Sequence, residues 1–171
     1  MFSILIDFLC RNKYWWHSPS EEFDNFDFNM IGSKSLRYGW GIYFSTNKEQ
    51  ALMHNNGVNH IYRFPVSAVK SKSFINYSKD LKKHSDPRVI SVAKEFYGED
   101  TFDNESFGKG GHRFYDDIRD SEIINGEDPN GCAARYLVQK GISGAVIDEP
   151  GERIVLLYDT ELWENVDKVQ L

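Results

Sequence analysis

Hydrophobic and polar positions change period several times along the chain, and those changes mark its elements. Tyr14, Trp15 and Trp16 form an aromatic run after Lys13 that fits a strand. Ser18-Pro19 ends it, since proline donates no ladder bond and restricts the residue before it. Gly39-Trp40-Gly41-Ile42-Tyr43-Phe44 is a second short hydrophobic strand, entered through two glycines. Thr46-Asn47-Lys48-Glu49 has the capping-box pattern and opens a helix that carries Ala51, Leu52 and His54 until Asn55-Asn56-Gly57 stops it. Residues 58–67 then set His60, Tyr62 and Phe64 against Ile61 and Arg63, a strand ending at Pro65.

In the second half, Val89, Ile90, Val92, Ala93 and Phe96 recur at helical spacing over residues 87–97, and Gly98 terminates the helix. Residues 130–140 form another helix, capped by Gly141, and two β-rich runs at 142–148 and 153–158 are joined by Glu149-Pro150-Gly151. Three stretches lack a sustained period. Residues 20–35 predict a loop pinned by Phe23, Phe26 and Phe28 while Asp24 and Asp27 stay wet. Residues 70–86 are polar and weakly patterned, and residues 99–127 are glycine-rich and acidic, an expected insertion over one face with a mobile Gly108-Lys109-Gly110-Gly111. Asp116, Asp117, Asp120 and Glu122 read as a solvated helix face before they read as a metal site. Residues 1–10 are apolar except for Asp7 and too short to span a bilayer, so a strand or short helix packed on the core is expected.

Composition adjusts this picture modestly. A chain of 171 residues suits one domain. An aromatic content of 15% suits a protein that lines a cleft with flat side chains, although most such rings fill cores. The net charge of −6 disfavours nucleic acid as a partner unless a local basic patch overrides it. Cys10 and Cys132 have no zinc or redox spacing, which points to a reducing, cytoplasmic setting. The chain has no Gly-x-Gly-x-x-Gly after a strand, no phosphate-loop lysine and no His-Glu-x-x-His, so neither a bound metal nor another nucleotide-cofactor class is expected.

The stretch from Tyr14 to His54 resembles the ADP-ribosyltransferase superfamily of the His-Tyr-Glu type. Its likeness is greatest to the small domains of polyvalent proteins from phages and mobile elements. The residues that carry the resemblance are Trp16-His17-Ser18 at a strand end, Phe23-Asp24-Asn25-Phe26-Asp27, Ile31-Gly32, and Tyr38-Gly39-Trp40-Gly41-Ile42-Tyr43-Phe44. Gly141-Ile142-Ser143-Gly144 and Tyr158-Asp159 match the family's ending, while residues 71–125 match only loosely and stand as a variable insertion.

The resemblance implies an α+β fold of two packed, mostly antiparallel sheets around an NAD cleft with flanking helices. It implies transfer of ADP-ribose from NAD⁺ to a macromolecular acceptor, expected to be a protein before a nucleic acid, as a phage or bacterial effector. His17 would bond an NAD ribose hydroxyl, and Ser18, where the family usually has glycine, would hold the nicotinamide carboxamide through its backbone. Tyr43 would stack on the nicotinamide, with His54 as the opposite wall where relatives have tyrosine. Ala51 stands where many relatives place a small hydroxyl residue. Tyr38, Gly41 and Phe44 would line the same site, and Arg37 and Lys34 are the cations near a pyrophosphate. The family's catalytic glutamate falls on Ile154, which implies transfer of a single unit, and Glu152 shares Ile154's strand face by period two and is the substitute base. The alternatives are NAD⁺ hydrolysis and a silent module that binds NAD⁺, ADP-ribose or a protein.

Overall fold

The computed structural model describes residues 12–19, 37–121, 123 and 128–171. The expectations for residues 1–10 and 20–35, and those for Cys10, Lys34 and Glu122, lie outside the described residues. The architecture is built on strand β5 (Ile142–Glu149), which buries every residue from 142 to 147. Such an unbroken buried run marks a strand covered on both faces. Around it lie β1 (Tyr14–His17), β2 (Ile42–Ser45), β3 (His60–Pro65), β4 (Ser73–Asn76), β6 (Glu152–Leu157) and β7 (Asp167–Gln170). The described helices are α1 (Lys48–Met53), α2 (Pro87–Tyr97), α3 (Glu99–Asp103), α4 (Gly111–Arg119) and α5 (Pro129–Gln139).

The strands join in the order β4-β5-β6-β2-β1-β3-β7, antiparallel except for the parallel β4–β5 pair. The α+β class is thus as expected, but the described strands form one hydrogen-bonded sheet where two packed sheets were expected. Its central joint is narrow. β1 and β2 pair only at Trp16↔Ser45, whereas β1–β3 and β2–β6 each pair at four positions. One rung therefore ties the β4-β5-β6-β2 half to the β1-β3-β7 half.

Local chemistry explains most boundaries. α2 begins where the Asp86 carboxylate accepts from Arg88 N with Pro87 at its first position, and ends at Gly98 with φ 85°. The β5–β6 hairpin turns through Pro150-Gly151, Gly151 having φ 85°. α1 is capped by Asn47, whose side chain accepts from Glu49 N and Gln50 N; Thr46, the expected cap, lies one residue outside.

Trp15, Phe44, Phe64 and Phe74 centre one face of the core, with Trp15 stacked on Phe64 at 5.5 Å and edge-on to Phe74 at 6.0 Å. Each such side chain stabilises the fold by about 1.5–3 kcal/mol through burial. Within the stretch expected as a variable insertion, residues 71–121 supply β4 to the sheet, and Phe102, Phe114, Tyr115 and Ile118 to the core. One of its glycines is a contact point. A Cβ on Gly111 would lie 2.3 Å from Asn76 O, so α4 approaches β4 only because that position is bare. No helix of the described residues is long and apolar enough to cross a membrane.

Candidate active site

The site grows from the glycine-flanked entry to β2. Gly39 has φ 108° and Gly41 φ 143°, and added Cβ atoms would lie 2.6 Å from the Tyr115 ring and 2.4 Å from Leu157 O. Only glycine admits the chain along this path. Between them, Trp40 N donates to the Tyr115 hydroxyl at 3.0 Å, and that hydroxyl donates onward to Asn130 O at 3.0 Å. The path fixes Tyr43, whose hydroxyl donates to Gly39 O at 2.7 Å and accepts from Tyr38 N at 3.1 Å. Burial raises the Tyr43 phenol well above its ordinary pKa, so it serves as a rigid neutral ring and not as an acid or base near neutrality.

His17 ends β1, one residue past the single bridge. Its Nδ1 lies 2.7 Å from Tyr43 O. A carbonyl only accepts, so Nδ1 carries the hydrogen and a neutral ring presents Nε2 as a lone-pair nitrogen. Burial lowers the His17 pKa from its ordinary 6.5, opposed in part by this same bond, and so favours the neutral ring. Nearby, the Ser18 and Tyr38 hydroxyl oxygens are buried without a hydrogen-bond partner among the described residues. A buried unpaired hydroxyl is unfavourable unless a ligand or water completes it.

The sheet register aligns the remaining groups. Ile154 pairs with Ser45, Ser45 with Trp16, Trp16 with Arg63 and Arg63 with Asp167, so five strands contribute one rung on one face. Tyr43 shares that face two residues before Ser45, as does Glu152 two before Ile154. The β2–β6 pairing runs in register without a bulge, so Ile154 occupies the place opposite Ser45. Glu152 nevertheless reaches it. The Ser45 hydroxyl donates to Glu152 Oε2 at 2.8 Å while accepting from Asn47 N at 3.0 Å.

The other expected residues divide. Phe44 is buried on the opposite face from Tyr43, its ring 5.9 Å from that of His17. The Tyr38 ring lies 6.4 Å from that of Tyr43, with Arg37 over Tyr38 at 4.9 Å and paired to Glu149 at 3.4 Å. Ala51 is buried on α1. His54 caps the C-terminus of that helix and is exposed, and no contact joins its ring to Tyr43 among the described residues. The acidic run is less solvated than expected: Asp117 is largely buried and held by Lys109, Arg113 and Tyr97, while Asp116 and Asp120 pair with Arg119. No group of three metal-ligating side chains occurs among the described residues.

Two site neighbours escaped sequence reasoning. Ser45 had a usable signal, lying two residues from Tyr43 and hence on its face. His112 had none, because its place depends on how α4 packs: it stacks on Tyr77 at 4.8 Å and meets the Tyr38 ring at 6.1 Å. A depression of about 440 Å³ lies elsewhere, on α3 and the loop after it, lined by Thr101, Asn104, Phe107 and Lys109 among others, and none of the candidate residues borders it. Comparison of the chain with known protein families, with curated proteins and with solved structures finds no match.

Proposed function

We propose that this chain is a mono-ADP-ribosyltransferase that takes ADP-ribose from NAD⁺, releases nicotinamide and modifies a macromolecular acceptor, as a phage or bacterial effector would. The observation that carries the reading is the 2.7 Å contact from His17 Nδ1 to Tyr43 O. It ties the two motif residues together across the narrow joint and orients a neutral imidazole. The single-rung joint also supports the finer fold reading, a split sandwich whose halves diverge on either side of the cleft.

The residues present suit NAD⁺. A neutral Nε2 accepts from a ribose hydroxyl, the unsatisfied Ser18 and Tyr38 hydroxyls offer polar contacts, and the fixed Tyr43 ring supplies a stacking face worth about 0.5–1.5 kcal/mol. Nicotinamide leaves C1′ of the ribose with the bonding pair as a neutral ring, so the protein's task is to hold the sugar and leaving group still. The acceptor atom bonds to C1′ and gives up its proton. Glu152, held at the rung by Ser45, is the carboxylate placed to take it. Ile154 itself favours the second reading, a silent NAD⁺-binding module, because it puts no carboxylate opposite Ser45.

Incubation with adenine-labelled NAD⁺ and a bacterial lysate separates these readings. Label on a macromolecule supports transfer, free ADP-ribose alone supports hydrolysis, and intact NAD⁺ bound with His17-dependent affinity supports the module. Calorimetric NAD⁺ binding that survives both His17→Ala and Tyr43→Ala would remove the cofactor from this cleft.

A further inference from the structure

The rung that passes Ile154 and buried Ser45 continues onto a half-buried surface of different chemistry. Beyond Ser45 it reaches Trp16 and Arg63, and Tyr14 lies two residues before Trp16 on the same face. Both rings are half-buried and sit edge to face at 6.0 Å. Three cations surround them: Arg63 at 4.5 Å and Lys13 at 5.3 Å over the Tyr14 ring, and Lys48 at 4.9 Å over Trp16. Lys13 and Lys48 are exposed and make no ion pair among the described residues. Among the described residues Arg63 pairs only with Asp167, at 3.3 Å, the two side chains being 35% and 59% exposed, a contact weak enough for a phosphate to displace. In a chain of net charge −6 this is a local reversal of sign, interleaved with flat rings.

We infer that this face docks single-stranded nucleic acid and that a base of that strand is the acceptor. The inference rests on the transferase reading for the word acceptor, while the surface stands without it. Aromatic faces and an Arg plane stack bases of any sequence, and lysines at their margins meet the phosphates between them. Duplex DNA hides its ring faces, so the match is to an unpaired strand. A protein segment would use the rings equally well but gives no reason for three converging cations. The strand's course along the rung leads to Ser45 and Glu152. There a base nitrogen bonds to C1′ of the NAD ribose as the nicotinamide bond breaks, and its proton passes to the Glu152 carboxylate.

The test is fluorescence anisotropy of dye-labelled 12-nucleotide DNA and RNA strands with the full chain across a salt series. Mixed-sequence strands should bind, with log K falling against log salt by about 0.7 for each phosphate neutralised. Trp16→Ala should weaken binding about tenfold, and an abasic strand of equal charge should show the same loss. Lys48→Glu, an exposed change that leaves the core intact, should weaken all strands and lower the salt slope by about one phosphate equivalent. With labelled NAD⁺, label should appear on the bound strand, and comparing DNA with RNA identifies its source. Absent binding, equal binding of the abasic strand, or binding indifferent to both substitutions overturns the surface. Label on protein but not on a bound strand overturns the acceptor while leaving the transferase reading intact. NAD⁺ left unconsumed overturns the transferase reading, and with it the acceptor.

Discussion

Glu152→Gln isolates the charge of one carboxylate with little change in shape. Glu152 is half-buried, accepts from the Ser45 hydroxyl at 2.8 Å, and lies opposite Glu149 at the end of the β5–β6 hairpin. The glutamine amide oxygen still accepts from Ser45, so the loss is the difference between a charged and a neutral hydrogen bond, about 1 kcal/mol. Relief of the like-charge pair across the hairpin returns about 0.2–1 kcal/mol, leaving stability nearly unchanged. Transfer should respond far more. On the proposed roles, losing the Glu152 base should slow the acceptor's attack by about 10²–10⁴-fold, while NAD⁺ affinity, assigned to His17 and Tyr43, should hold. Urea unfolding, initial rates of label transfer and calorimetric NAD⁺ binding measure all three, and mass spectrometry counts the units on the acceptor. Adding Ile154→Glu to the glutamine variant puts a carboxylate directly opposite Ser45 and should restore transfer. An unchanged transfer rate in Glu152→Gln, with single ADP-ribose units on the acceptor, would refute the role of Glu152 and mean that the acceptor is attacked without a protein base.

Burial lowers the pKa of both His17 and His84 below 6.5, His84 Nε2 accepting from Asn76 N at 2.9 Å. The unfolded chain therefore binds more protons just below pH 6.5, and stability that is complete above that value is lost as pH falls, by up to about 1.4 kcal/mol per pH unit for each histidine. Urea midpoints measured from about pH 7.5 down to 5 should fall accordingly, and a flat profile would show that neither ring is held neutral by the fold. Gly111→Ala drives a Cβ to 2.3 Å from Asn76 O and 2.7 Å from Ile75 Cγ2, and such overpacking costs about 1–3 kcal/mol. At this chain length Tm should drop by about 2–4 °C per kcal/mol, while Gly110→Ala, whose Cβ would have its nearest neighbour at 3.5 Å, should stay near the parent; equal melting of the two would remove the α4–β4 contact as a constraint.

The elements with local causes were legible in advance. Asp86-Pro87 and Gly98 bound α2, and Pro150-Gly151 turns the hairpin, because each acts within a few residues of itself. The motif spacing paired His17 with Tyr43, which the fold brings into contact across 26 positions. What stayed hidden depends on distant backbone. Gly110-Gly111 reads as a mobile linker until Asn76 lies beneath it, and only the register of β2 with β6 shows that Ser45 spans from the Ile154 rung to Glu152. His112 became a neighbour of Tyr38 through the docking of α4, a long-range event with no local signature.

One arrangement makes the fold's weakest joint and the candidate chemistry the same place. Pairing of β1 with β2 stops after Trp16↔Ser45, so the next inward-facing carbonyl on β2, that of Tyr43, lacks a strand donor on that side. The His17 imidazole supplies one at 2.7 Å, and doing so fixes its tautomer. A longer ladder would satisfy the carbonyl with a backbone N–H and leave the imidazole unoriented. The short ladder thus leaves the carbonyl to the bond that orients the histidine. Loss of the ring then strands a part-buried carbonyl, at a cost of up to about 1–3 kcal/mol, comparable to the binding it is proposed to support. The His17→Ala result is therefore interpretable only when NAD⁺ affinity and folding stability are measured on the same preparation, the site reading requiring affinity to fall by more than the unfolded fraction accounts for.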